Sequence, residues 1–377
     1  MQGENSMKKL LNFCRGGAIA NLSILAMLAL FAAGCNNSSN TPYIPPYIPP
    51  VAQTYTVTVA TGIENGTVAV DKTTAAAGAT ITLTATPASG YILYEYVVKT
   101  ASGSPVQVSN NQFTMPASNV TVSATFKQLV DLSTITSDTT IPDGYIVIGT
   151  LANSVKISIA AGATVTLKNV SINADGSLAS ADHAGLVCEG DATIVLADGS
   201  TNDVKGFMDG PSGVHVLPGF TLTINGSTGV LNASTKGGGA GIGSGYNGGQ
   251  RAGGNIVING GVINATGGNL GAGIGSGGRS TIGNITINGG TITAVGGGHS
   301  AGIGCGDTNK SGSTLAGVSQ CGDITIANTV TKVTATKGSG AAHSIGKGNN
   351  SGDAVCGTVT IGGTEGYISD SPYTYQP

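Results

Sequence analysis

The sequence has no tryptophan, and charged residues make up only 9 % of its 377 positions. So little charge argues against a typical helical enzyme, whose helices need charged faces toward solvent. Sixteen Lys and Arg stand against nineteen Asp and Glu, with no run of either sign, so no surface for nucleic acid is expected. What the chain has in excess is glycine, 62 residues, between short runs of β-branched residues. This composition indicates an all-β protein.

The N-terminus resembles the leader of an exported lipoprotein. After Met7, two lysines precede an apolar segment, which is typical of a signal peptide. The segment ends in LFAAGC, in which Cys35 takes the lipidated position of a lipobox, although Ala32 departs from the usual leucine. A plain cleaved leader and an uncleaved anchor are the alternatives. We therefore predict a signal peptide over 1–35, lipidation at Cys35, and an anchored location at the outer surface of a bacterial cell envelope.

Two segments follow the leader. Residues 36–53 are rich in Asn, Ser and Pro without apolar periodicity, which is typical of a tether. Polar and apolar residues alternate over 54–128, which predicts a small antiparallel β-sandwich or grasp-like module. Its segments NGTV at Asn65, AGAT at Ala77 and FTMP at Phe113 resemble the divergent internalin-B-type bacterial repeat. That family supplies spacers and adhesion units, so the resemblance implies a stalk or adhesive role.

Residues 129–366 repeat a unit of about 30 residues. The segment NIVINGGVINATGGNLGAGIG at Asn255 recurs almost residue for residue at Asn284. Each unit has three short apolar runs that cannot pair within the unit, so units must stack about 4.8 Å apart. The repeat therefore predicts a parallel β-helix of three sheets with an N-terminal cap, and right-handed coils are the common outcome for such connections. Residues 367–377 are predicted to form a C-terminal tail.

The repeat region also resembles other β-helical proteins. Ala-Gly-Ile-Gly follows the glycine-rich loops, as in β-helical domains of anaerobe surface proteins. A more distant likeness is to carbohydrate-binding and pectate-lyase-like β-helices. A shared fold does not assign a function.

Aligning the coils predicts columns of stacked side chains. Asn225, Asn259 and Asn288 fall at the same corner and should form an amide ladder. An outward column is the candidate contact face for a periodic ligand such as a glycan chain, or ice. The preference of strands for Thr and Val is the competing explanation of this column. Its members are Thr223, Val257, Thr286, Thr325 and Thr360.

Three cysteines are disulfide candidates. Cys321 and Cys356 each lie three residues before the first inward apolar residue of a coil, so they should stack within the Cα range of a disulfide. Cys305 with Cys321 is the competing pair. Export favours a disulfide, whereas an anaerobic habitat would leave the thiols reduced.

Metal and cofactor sites find little support in the sequence. Asp175 and Asp203 lie one 28-residue step apart and are the candidate ligands for Ca²⁺. Because Ca²⁺ needs roughly six to eight oxygens, a solvated loop face is the favoured interpretation of this pair. The four histidines fall at different offsets in their coils and are interpreted as loop residues, and no cofactor is expected.

These observations favour a non-enzymatic surface lipoprotein that presents its β-helix for adhesion or for binding a polysaccharide or cell-surface glycan. Its contact with the membrane would be through the lipid anchor. One alternative is a lyase-like, polysaccharide-active enzyme that uses the acidic residues of the upstream coils. The other is a purely structural component of the envelope.

Overall fold

Short strands, many with alternating buried and exposed residues, are the main regular elements of the structure, a computed structural model. They belong to the unit Gln53–Pro377. No helix in the described residues is long and apolar enough to span a lipid bilayer. The structure describes residues 53–173, 182–207, 210–247, 251–308, 318–349 and 354–377.

Eight strands form the first part of this unit. They are β1 (Thr54–Val59), β2 (Gly66–Val70), β3 (Thr74–Ala76), β4 (Thr80–Pro87), β5 (Tyr91–Thr100), β6 (Pro105–Val106), β7 (Gln112–Thr114) and β8 (Val120–Asp131). A 3₁₀ turn, Leu132–Thr134, follows β8.

The strands of the second part come in chain order, about three or four to a coil. They are β9 (Thr139–Ile141), β10 (Ile146–Thr150), β11 (Ile157–Ile159), β12 (Thr164–Ile172), β13 (Leu186–Cys188), β14 (Ala192–Leu196), β15 (Thr201–Lys205), β16 (Val214–Val216), β17 (Thr221–Gly226), β18 (Val230–Ser234), β19 (Ile242–Gly243), β20 (Asn255–Ile258), β21 (Val262–Thr266), β22 (Ile274–Gly275), β23 (Thr281–Ile282), β24 (Ile285–Ile287), β25 (Thr291–Val295), β26 (Ile303–Gly304), β27 (Gln320–Cys321), β28 (Ile324–Ile326), β29 (Lys332–Thr336), β30 (Ile345–Gly346), β31 (Val355–Cys356), β32 (Val359–Ile361), β33 (Thr364–Glu365) and β34 (Tyr373–Tyr375).

The first part is a sandwich of two small sheets. Strands β2, β4 and β7 pair antiparallel in one sheet. In the other, β8 pairs antiparallel with β5 and parallel with β1. Ile81, Met115 and Val122 are fully buried between them. The predicted all-β module is confirmed, and the parallel pair is an addition that alternation along a strand does not reveal.

One strand joins the module to the repeat region. β8 runs beyond residue 128, the predicted end of the module, and Leu129 to Asp131 pair in parallel with Ile146 to Ile148 of β10. Asp131 then accepts a hydrogen bond from the Ser133 amide at 2.9 Å, which caps the 3₁₀ turn. The module and the first coil therefore share a continuous backbone.

The second part is a parallel β-helix, as predicted. The first sheet runs from β10 through β12, β14, β17, β20, β24 and β28 to β32, and the second from the end of β12 through β15, β18, β21 and β25 to β29. The third contains β9, β11, β13, β16, β19, β22, β26 and β30. Ile256 and Ile258 pair with Ile285 and Ile287 on the next coil, which confirms the predicted stacking. A short fourth sheet, β23, β27 and β31, was not predicted.

Side-chain ladders along the corners fix the spacing of the coils. Asn259 Nδ2 donates to Asn225 Oδ1, and Asn288 Nδ2 to Asn259 Oδ1, each at 2.9 Å, so the predicted amide ladder is confirmed. A second ladder precedes the first sheet. There, Oδ1 of Asn255 and of Asn284 accepts from the backbone amide of the next coil at 2.8 and 2.9 Å. Each coil thus satisfies polar groups of its neighbour.

The C-terminal residues cover the end of the β-helix. β33 pairs antiparallel with β32, β34 pairs antiparallel with β29, and Ile368 bridges to Ile345 of β30. Most of this segment is the predicted tail, residues 367–377. Here it protects the last strand of each of the three long sheets, whose free edges would otherwise invite pairing with other chains. We call residues 364–377 the C-terminal cap.

We expect Ile258→Ala to lower the free energy of unfolding by about 2–5 kcal/mol, because it empties volume in the core between coils. Val257→Ala, on the outward side of the same strand, is the matched control and should cost less than about 1 kcal/mol. Denaturant unfolding measures both. Equal effects would contradict the inward assignment of Ile258.

We expect deletion of residues 364–377 to convert the protein into concentration-dependent oligomers, because three strand edges lose their partners. Light scattering after size-exclusion chromatography measures this change. Thr374→Ala, which keeps the backbone pairing of β34, should remain in the same state as the wild type. A monodisperse truncated protein of unchanged state would show that the cap is dispensable.

Candidate functional site

The predicted outward column is aligned by the register of the first sheet. Thr223 pairs with Val257, Val257 with Thr286, Thr286 with Thr325, and Thr325 with Thr360. All five side chains reach solvent at least in part. Two earlier coils extend the column through Thr164 and Thr193. Its role in binding stays a prediction.

The predicted lipidation and calcium residues are only partly described. Cys35 and Asp175 lie outside the described residues. Asp203 Oδ1 accepts a hydrogen bond from Asn232 Nδ2 at 2.7 Å, and Asn264 continues this ladder on the next coil. Among the described residues, no group of three or more His, Cys, Asp and Glu is arranged to hold a metal ion.

The predicted stacking of Cys321 on Cys356 is confirmed, because the two are register partners in β27 and β31. Both thiols are free, as is that of Cys305. Cys305 lies against the same strand, with its Sγ 3.3 Å from the Val355 carbonyl. The structure thus brings all three candidates together, without a disulfide between any two of them.

A cavity of about 320 Å³ lies beside the third sheet, on the upstream coils to which the enzymatic alternative assigns its acidic residues. Asp182 and Arg251 line this cavity and also a larger one of about 640 Å³, which therefore adjoins it. We call the two together the polar groove. Its main polar and aromatic side chains are Asp182, His183, Ser212, His215, Lys236, Tyr246 and Arg251.

Three side chains of the polar groove have buried polar atoms without a hydrogen-bond partner. His215 is only 7 % exposed, and its Nδ1 lies 3.0 Å from the Gly243 carbonyl. Since a carbonyl only accepts, Nδ1 carries the proton, and Nε2 is left as an acceptor without a partner. His183 repeats this arrangement on the Ala184 carbonyl, and the Ser212 hydroxyl is likewise unpartnered. Such groups are rare in folded proteins and are costly to leave unmet.

Burial keeps His215 neutral. It is the largest effect on the pKa of this imidazole and lowers it; the hydrogen bond to Gly243 opposes burial, and the nearby Arg251 guanidinium adds the smallest effect, which also lowers the pKa. Arg251 itself forms an ion pair with Asp182 and reaches the Tyr246 carbonyl at 3.5 Å. The groove therefore combines a neutral imidazole acceptor, a cation and a carboxylate.

Tyr246 gives the groove an aromatic wall. The side chain is half-buried and packs against the backbone of Gly238, where a Cβ would come within 2.5 Å of the ring. The Arg279 guanidinium lies 6.0 Å from the ring centroid. A tyrosine with an apolar face and a polar tip is suited to stack on a sugar ring.

A column of glycines explains where the groove begins. Gly243, Gly275 and Gly304 follow one another along the third sheet with φ between +132° and +145°. A Cβ on any of them would come within 2.1 Å of the next glycine's carbonyl, so no side chain fits. His215 is the register partner of Gly243, one coil earlier, where the column ends.

The interpretation of His215 as a loop residue is therefore wrong, because it lies within β16. The distance in sequence from the isoleucines of the first sheet does not reveal that His215 lies on a strand, because the connections between sheets vary in length. The available signal was a histidine, instead of glycine, two residues after Ser212-Gly213 in an otherwise repeated segment.

We expect the stability difference between the wild type and His215→Gln to depend on pH. The pKa of His215 lies below its ordinary value of 6.5 in the folded protein, so below pH 6.5 the unfolded chain binds the additional proton. The wild type should lose stability relative to His215→Gln as the pH falls through 6.5 toward the folded pKa. Denaturant unfolding of both proteins between about pH 7.5 and about pH 5 measures the difference. A difference that does not change with pH would contradict a neutral, buried His215.

Comparison with known proteins identifies both parts of the chain. Residues 55–129 match the Divergent InlB B-repeat domain, which indicates a bacterial surface protein. Residues 222–246, 256–278 and 285–307 match the Beta helix repeat. No curated protein and no solved structure matches the chain. The chain therefore carries a divergent InlB B-repeat domain followed by beta-helix repeats.

Proposed function

We propose that this is a non-enzymatic, lipid-anchored surface protein whose polar groove binds a polysaccharide. The observation that carries the proposal is the group of unpartnered polar atoms of His183, Ser212 and His215 in one cavity. Buried polar groups without partners are stable in a binding site when a ligand or water supplies the missing bonds.

The side chains of the groove match the chemistry of a sugar. Sugar hydroxyls both donate and accept, so the neutral His215 can accept from one hydroxyl while Arg251 and Lys236 donate to others. Asp182 supplies a second acceptor, and Tyr246 offers a ring face for stacking. A mixture of donors, acceptors and one aromatic ring is typical of such sites.

The remaining parts of the chain support display of the groove. The module precedes the β-helix and shares strand β8 with it, which suits a rigid spacer. The predicted Asn, Ser and Pro tether and Cys35 anchor would hold this spacer at the membrane. In this proposal the polysaccharide is the partner, and the anchor provides the membrane contact.

One observation favours the enzymatic alternative. A neutral, buried histidine beside an arginine is a combination that can accept a proton from a substrate carbon. Three upstream acids of the predicted lyase, however, bind neighbouring coils. Oδ1 of Asp191 and of Asp198 accepts from backbone amides at 2.7 and 3.1 Å, and Asp203 accepts from Asn232. These bonds favour binding over lyase chemistry.

A glycan array with the folded portion, Gln53–Pro377, tests the proposal with and without Ca²⁺. We expect binding of one polysaccharide class and no release of unsaturated sugars. Tyr246→Ala should weaken the binding about ten-fold, because the stacking surface is lost. Thr286→Val is the matched control, since Val257 occupies the same column one coil earlier, and should bind as the wild type does.

Each other outcome of this experiment has a distinct meaning. Loss of binding in Thr286→Val with Tyr246→Ala unaffected would move the site to the outward column. Unsaturated products that disappear in His215→Gln would establish the enzymatic alternative. If no glycan binds, the proposal is wrong, and the purely structural role is the remaining alternative.

A further inference from the structure

Three buried thiols meet at the C-terminal end of the β-helix. Cys305 follows β26, Cys321 ends β27 and Cys356 ends β31. Their exposed fractions are 0, 4 and 8 %. Cys188, the other cysteine among the described residues, is equally buried but belongs to the third sheet several coils away. Three thiols from three separate segments therefore meet at one place in the fold.

The thiols differ in their protonation. Hydrogen bonds from the Cys305 thiol and then from the Cys321 thiol lower the pKa of Cys356, and the nearby His343 and Lys347 act in the same direction. The pKa of Cys321 is raised, because its thiol proton is held in hydrogen bonds with Cys305 and Cys356 and because the thiol is buried. Cys356 is therefore the most readily deprotonated thiol of the group, and a thiolate is the form that attacks a disulfide.

Cys356 is also the thiol closest to solvent. β31 is the last strand of the fourth sheet in the described residues, so no further coil covers it. The adjacent Val355 is 53 % exposed. From the C-terminal cap, the Tyr367 hydroxyl donates to the Cys356 carbonyl at 2.8 Å. A reagent can therefore approach from the end of the β-helix once this side chain moves.

We propose that Cys305, Cys321 and Cys356 form a thiol–disulfide exchange site, in which Cys356 reacts with an external disulfide and Cys321 completes a Cys321–Cys356 bridge. The two residues are register partners on parallel strands, about 4.8 Å apart, which lies inside the Cα range of a disulfide. Cys305 is the third thiol. It stays reduced and hydrogen-bonded to the same strand.

The electrons balance in two steps. The Cys356 thiolate attacks one sulfur of an external disulfide, which leaves a mixed disulfide and releases one thiolate. Cys321 then loses its proton and attacks the Cys356 sulfur, which forms the bridge and releases the second thiolate. Two cysteine thiols are oxidised, and one external disulfide is reduced to two thiols. The bridge would tie successive coils together at the end of the β-helix.

The test uses the full chain, reduced and then treated with oxidised glutathione as the external disulfide. Free thiols are blocked at intervals with iodoacetamide, and peptide mass spectrometry identifies each cysteine. We expect a Cys321–Cys356 bridge, with Cys305 and Cys188 still reduced. Cys188 is the internal control, because burial without a thiol neighbour raises its pKa to about 12.

Variants separate the two steps. Cys356→Ser should abolish reaction of this group with glutathione, and Cys305→Ser should still form the bridge. The double variant Cys305→Ser with Cys321→Ser should stop at glutathione bound to Cys356. Oxidation of Cys188 as fast as Cys356, a Cys305–Cys321 bridge, or no reaction of the wild type would each overturn the proposal. The wild-type measurement needs no variant, so misfolding of a substituted protein cannot mask the result.

Discussion

The structure depends on one constraint, which is that a coil can bury its apolar side only between its neighbours. Each strand is too short to form a sheet within its own coil, so both hydrogen bonding and burial come from stacking. Register is therefore critical, since a slip of one residue would turn every inward isoleucine toward solvent. The asparagine ladders at the corners oppose such a slip, because Asn225, Asn259 and Asn288 bond side chain to side chain only when the coils are aligned.

The candidate site lies where this regularity weakens. In the best repeated coils the third sheet is lined by glycine backbone, with no space for a reactive side chain. Upstream the repeat is imperfect, and there the same sheet carries His215, while neighbouring connections bring in His183, Tyr246 and Arg251. Regular coils thus provide the scaffold, and irregular ones provide the chemistry.

Features that follow from the repeat could be predicted from the sequence, and features that do not follow from the repeat could not. Stacking of Ile256 on Ile285 and of Cys321 on Cys356 could be predicted, because equal offsets in successive units become neighbours in space. An alternating pattern of polar and apolar residues does not show in which direction two strands pair. The parallel pairing of β1 with β8 could therefore not be predicted. The C-terminal cap belongs to no repeat. The polar groove joins residues from coils of different length, and such contacts exist only after folding.

The continuous strand β8 has a mechanical consequence. Because it pairs with β5 in the module and with β10 in the first coil, no hinge separates the two parts. A pull on the N-terminal side would pass into the β-helix through rows of backbone hydrogen bonds loaded together. The module and the first coil would then turn together, so the groove keeps a constant orientation relative to the module.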